Sequence, residues 1–226
     1  MNAAAPAERG RFITFEGGEG AGKSTQLARL SEHLRGRGIE VVATREPGGT
    51  PKAEKLREVL LSGRIAPLGP LAEAALFAAA RIDHVESLIA PALARGAWVL
   101  SDRFADSTRA YQGARGGVDD ASISLLERAA IGNVRPDLTI ILDLPPQEGL
   151  ARAASRRAAG VAPDRFEAEE ELFHEELRRA FLDIAEQEPE RCCVVNGALA
   201  ADEVAQAIRQ LVDARFLSRL GEAAAE

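Results

Sequence analysis

A chain of 226 residues, 46% of them apolar and 28% charged, holds enough apolar material for one sizeable α/β core and is too short for two ordinary domains. Its net charge of −7 argues against a surface that coats nucleic acid, so a polyanion must be gripped by a few placed cations. No window reaches the roughly 18 apolar residues of a membrane span. The start, MNAAAPAERGR, lacks the basic and apolar regions of a signal peptide, so a disordered tail over 1–10 and a cytoplasmic location are expected.

In chain order, RFITFEG (11–17) is the first predicted strand, and a glycine-rich loop separates it from an amphipathic helix over 23–36. IEVVATRE (39–46) is the second strand. A helix follows over 69–93 with an expected core stripe of Leu71, Ala75, Ala78, Ile82, Val85 and Ile89. Further strands are AWVLSDR (97–103), DLTIILDL (137–144) and RCCVVNG (191–197). Helices over 121–131, 166–187 and about 200–220 lie between and after them, the last with Val204, Ile208, Leu211, Val212 and Phe216 at spacings of three and four. Most strands are apolar on successive residues, as in strands covered on both faces, and the alternation predicts a parallel sheet wrapped by helices. The domain is expected over 11–220 with a short tail at 221–226. The adjacent Cys192 and Cys193 read as reduced strand residues. His33, His84 and His174 show no partner pattern and read as surface or backing residues.

Gly17, Gly22, Lys23 and Ser24 match G-x-x-x-x-G-K-[ST] between a strand and a helix, the context a phosphate-binding loop requires. Its backbone N–H groups and the helix N-terminus would hold the phosphates of a nucleoside triphosphate. Gly17, Gly18, Glu19, Gly20, Ala21, Gly22, Lys23, Ser24 and Thr25 are the candidate ATP contacts, with Ser24 also a ligand for Mg²⁺. Lysine occurs only at 23, 52 and 55, so the Asn-Lys-x-Asp guanine-reading motif of switch GTPases is absent. A kinase needs a second pocket facing the γ-phosphate, and the strand ends supply candidates. Arg45 and Glu46 end one strand and Asp102 and Arg103 another, and an arginine fork suits a phosphate. Asp102 is a candidate for the metal's water shell or for orienting the attacking phosphate. Phe77 and Arg81, one helical turn apart, offer a ring to stack on a base and a fork to donate to its carbonyl edge. Gln112, beside the only tyrosine, Tyr111, can both accept and donate at a pyrimidine edge. Surface ion pairs and a second core face are the plainer readings of these residues.

The set FEGGEGAGKST, REPGGT, LFAAAR, SDRFADSTRAYQG and RPDLTIILDL runs in order over residues 12 to about 197. It resembles the bacterial thymidylate kinases among P-loop nucleoside monophosphate kinases. The resemblance implies phosphoryl transfer from ATP to dTMP with Mg²⁺, a five-stranded parallel sheet, a short lid at about 152–167, and a homodimer. It implies that Arg45 and Arg103 hold the dTMP phosphate, Phe77 stacks on thymine, and Arg81 donates to O4. Ser107 and Gln112 would then lie near the base edge, Tyr111 near the sugar, and Glu19 near the 3′-hydroxyl and the metal-bound waters. With no arginine in the phosphate loop, the cations for transfer are expected from the lid: Arg152 toward ATP, and Arg156, Arg157 and Arg165 beside Lys23, Asp102 and Arg103 as the catalytic set. One departure, Ala80 in place of a common Asp, implies that Arg81 lacks an orienting partner. The rival readings are a kinase for another pyrimidine monophosphate and a catalytically idle P-loop protein.

Overall fold

The computed structural model describes residues 9–158 and 170–218, apart from the side chains of 156–158. Arg165 and most of the expected lid lie outside the described residues, as do 1–8 and 219–226. Gly10, which the expected boundary leaves in the tail, is buried, and its N–H donates to Leu93 O at 2.9 Å.

Five parallel strands form one sheet in the order β2-β3-β1-β4-β5: β1 (Phe12–Glu16), β2 (Val41–Arg45), β3 (Trp98–Asp102), β4 (Leu138–Asp143) and β5 (Cys192–Asn196). Each lies inside its predicted span. Central β1 is buried along its whole length, and its alternate residues enter different cores. Ile13 and Phe15 pack with Leu27, Leu30 and Leu34 of α1 (Lys23–Arg35) and with Val204 and Ile208 of α9 (Ala201–Val212). Phe12 faces the other way, against Ala78, Val85, Ile89 and Phe104. Phe12 and Phe15 are fully buried, each contributing roughly 1.5–3 kcal/mol, so β1 is clamped from both faces. The edge strands β2 and β5 alternate instead, one face being partly open. Cys192 and Cys193 are free thiols on β5, and burial pushes Cys192 up to about 12.

The remaining helices are α2 (Pro51–Leu61), α3 (Pro70–His84), α4 (Ala90–Ala94), α5 (Ala105–Thr108), α6 (Asp120–Ile131), α7 (Pro146–Ala158) and α8 (Glu171–Gln187). α3 departs from its expected stripe. Leu71 is 53% exposed, Ile82 is 36% exposed, and Ala75 is exposed as well, whereas Glu73, Ala74, Ala78, Arg81 and His84 are buried. Ala78, Val85 and Ile89 of the expected stripe are buried, but the inner face also carries charges that find partners inside the molecule, which hydrophobicity alone does not show. Among the described residues, no helix is long and apolar enough to cross a membrane.

Candidate active site

The loop after β1 opens at the carboxyl edge of the sheet, flanked by the ends of β3 and β4. α1 starts behind it with Gly22 in a left-handed conformation, no side-chain cap and no acidic residue in its first turn. Its first N–H groups are therefore open to an anion, and the helix dipole favours negative charge there. Lys23 is buried and donates to Gly17 O at 3.0 Å and Gly18 O at 2.8 Å. Burial, and then Arg103, lower its pKa, with Glu19 opposing them. Ser24 Oγ donates to Asp102 Oδ2 across the gap between α1 and β3. A hydroxyl and a carboxylate are the hard oxygen donors that suit Mg²⁺, so this pair fits the expected ion.

Arg103 has φ of +70°, unusual for a residue with a side chain and costing of order 1 kcal/mol. Two bonds to its backbone hold it: Arg103 N–H donates to Phe15 O at 2.9 Å, and the Ser101 hydroxyl Oγ donates to Arg103 O at 2.8 Å. The next N–H, of Phe104, donates to Glu16 Oε1 at 2.7 Å, while Ser107 Oγ donates to Glu16 Oε2 at 2.6 Å. The strained turn swings the guanidinium to Glu19, with Nη2 2.6 Å from Oε1 and Cζ 5.1 Å from the centre of the Tyr111 ring. The Tyr111 hydroxyl donates to the same Glu19 oxygen at 2.8 Å. Burial would raise the Glu19 pKa, but Arg103, Lys23 and Tyr111 overcome it and hold the carboxyl down to about 2.

A cleft of about 310 Å³ joins these groups to α3. Glu19, Lys23, Ser24, Arg45, Glu46, Phe77, Arg81, Asp102, Arg103, Ser107, Tyr111 and Gln112 all border it. Arg45 is half exposed, with Nη2 3.0 Å from Glu54 Oε1. Glu46 does not stand free at the strand end. It accepts from Arg81 Nε at 2.7 Å and lies 2.9 Å from His84 Nδ1, while His84 Nε2 is 2.7 Å from Thr44 Oγ1. Arg81 is 3% exposed and also donates through Nη2 to Phe104 O at 3.2 Å and Thr108 Oγ1 at 3.0 Å. The expectation that Ala80 leaves Arg81 unoriented is therefore corrected, because Glu46 holds it from β2. His84 becomes the backing residue of that pair.

Arg57 of α2 also borders the cleft and donates to Pro47 O at 2.7 Å. In the sequence Arg57 is inconspicuous, because KLREVLL has the pattern of any amphipathic helix with a surface cation. A separate groove of about 440 Å³ lies behind the phosphate loop, bordered by Gly20, Ala21, Gly22, Thr25 and Arg152, with Arg152 Nη1 donating to Gly197 O at 3.0 Å. Gly17 and Gly18 contribute to the loop through their carbonyls. Arg156 and Arg157 lie on α7, and their side chains, like all of Arg165, fall outside the described residues.

A family model described as "Thymidylate kinase" matches residues 15–208. The chain belongs to the thymidylate kinase family. A thymidylate kinase of Bradyrhizobium sp. (strain BTAi1) is 53% identical over 215 residues, covering 95% of each chain. That of Afipia carboxidovorans is 56% identical over 212 residues, 94% of this chain and 92% of the other. The crystal structure of a thymidylate kinase from Ehrlichia chaffeensis matches with a TM-score of 0.72 and 34% identity, over 91% of this chain and 99% of that one. The fold is thus that of a P-loop NTPase. The activity belonging to a thymidylate kinase is ATP-dependent phosphorylation of dTMP to dTDP.

Proposed function

We propose that this transfer takes place in the cleft between the phosphate loop and α3, with ATP entering over the loop and dTMP from the α3 side. The observation that carries the reading is that one cleft is bordered both by the phosphate loop with Arg45, Arg57 and Arg103 and by Phe77, Arg81 and Gln112. Arg45, Arg57 and Arg103 hold the dTMP phosphate by charge-assisted bonds. Glu19 and Tyr111 face the sugar, with Ser107 beside the base edge. Phe77 stacks on thymine, and Arg81, whose Nη1 makes no bond among the described residues, donates to O4.

In-line transfer asks little covalent chemistry of the protein, so the residues act by position and charge. Lys23 releases its two loop carbonyls to bind the transferring phosphoryl, and Arg103, locked by its turn, keeps the attacking oxygen aligned. Mg²⁺, which Ser24 and Asp102 would hold with Glu19 acting through water, supplies neutralising charge on the ATP phosphates. Arg152 lies toward the ATP side, and Arg156, Arg157 and Arg165 are the lid cations. Leu71 and Ile82 of α3 and Leu125 of α6 stand exposed, which supports a homodimer through that face, and the mass in solution decides it. A cytoplasmic enzyme acting on small soluble nucleotides fits the acidic charge.

Phe77→Ala tests the base assignment. It removes the stacking ring, so the KM for dTMP rises about tenfold, as loss of roughly 1–1.5 kcal/mol of aromatic contact requires, with kcat less affected. An unchanged KM would return Phe77 to a packing role.

A further inference from the structure

Gln112 borders the cleft and is 3% exposed. Its Nε2 donates to Glu73 Oε2 at 3.4 Å, and Oε1 has no partner among the described residues. Glu73, on the first turn of α3, is itself buried and lies behind Gln112, outside the cleft lining. An amide side chain has a donor end and an acceptor end, and turning it by half a revolution exchanges them. A carboxylate offers acceptors only, so it fixes which end faces it.

We propose that Glu73 is a specificity-determining positioning residue, orienting the Gln112 amide so that its oxygen meets the base. Gln112 Oε1 then accepts the N3–H of thymine or uracil. Cytosine presents a lone pair at N3, which would face that oxygen and leave two acceptors opposed in a buried site. Arg81 makes the matching choice at position 4, where a carbonyl accepts and an amine does not. The inference rests on the base-edge reading of Gln112 above and assigns its cause.

Glu73→Gln tests it. An amide at 73 can donate or accept, so both orientations of Gln112 become allowed. The measurement is kcat/KM for dTMP, dUMP and dCMP in wild type and variant. The dTMP-to-dCMP ratio should narrow about tenfold, the value of one hydrogen bond, while the dTMP-to-dUMP ratio holds because the two share the N3–H edge. Glu73→Asp, which restores an acceptor-only group, should recover the wild-type ratio. A merely structural Glu73 lowers all three values by one factor, and that result overturns the proposal. Should Glu73→Gln not fold, Glu73→Met frees the same amide and must narrow the same ratio. A wild-type enzyme indifferent between dTMP and dCMP removes the base-edge reading and this inference together. A wild-type preference that survives in the variants removes only the role of Glu73.

Discussion

Glu16 and Glu19, three residues apart, titrate in opposite directions because one is surrounded by cations and the other by the core. Glu16 is fully buried on β1, and burial, helped by Asp106, raises it to about 7 against partial relief from Arg103. Glu19 sits at about 2. Folded Glu19 lies below its ordinary value of 4.5, so its contribution to stability is present at neutral pH and is lost as pH falls from 4.5 toward 2. Folded Glu16 lies above that value. Between pH 4.5 and 7 the folded state therefore holds more protons than the unfolded chain, and the Glu16 contribution weakens as pH rises through that window. The difference corresponds to about 3 kcal/mol. Glu16→Gln keeps a group that can meet Ser107 while removing the titration. Denaturant unfolding at pH 5 and pH 8 should thus show a smaller loss at the higher pH in the variant than in wild type. Equal losses would mean that Glu16 is already charged when folded.

Between elements, the phosphate loop and α7 meet backbone on backbone. A Cβ on Gly20 would lie 2.0 Å from Gly149 O, and one on Gly149 would lie 2.3 Å from Glu19 O. The first turn of α7 is thereby pressed against the tip of the phosphate loop. Neither side can yield by a rotamer change, so α7 and the loop must move as one. Gly149→Ala should displace the loop and lower kcat/KM for ATP by at least about tenfold, with a stability cost of about 1–3 kcal/mol. Gly36→Ala, whose nearest contact is an ordinary 3.4 Å, serves as the control and should leave ATP kinetics as they are. Wild-type kinetics in Gly149→Ala would separate α7 from the loop. The loop itself was legible in the sequence because its chemistry is local: strand, glycines, Lys-Ser and helix follow one another. The face of α3 was not. Its buried side is set by partners far away in the chain, Glu46 for Arg81 and Gln112 for Glu73, and no periodicity records them.

At the scale of the whole molecule, the strands were legible because apolar runs of five or six residues bounded by turns have one natural conformation in a covered sheet. The strand order was not readable from those runs, and it is the order that brings β3 beside β1 and so Asp102 against Ser24. Arg57 was invisible for the same reason: α2 reaches the cleft only after β2 and α3 are in place. The resulting object is one cleft that joins the phosphate loop to Phe77 and Arg81 of α3, and the function proposed for it turns on which monophosphate it accepts. Initial rates of ADP formation with ATP and Mg²⁺, taken across dTMP, dUMP, dCMP, CMP and UMP, measure that preference. The highest kcat/KM is expected for dTMP, with dUMP ahead of the cytosine nucleotides. Preference for CMP or dCMP, or no turnover with any of the five, would contradict it.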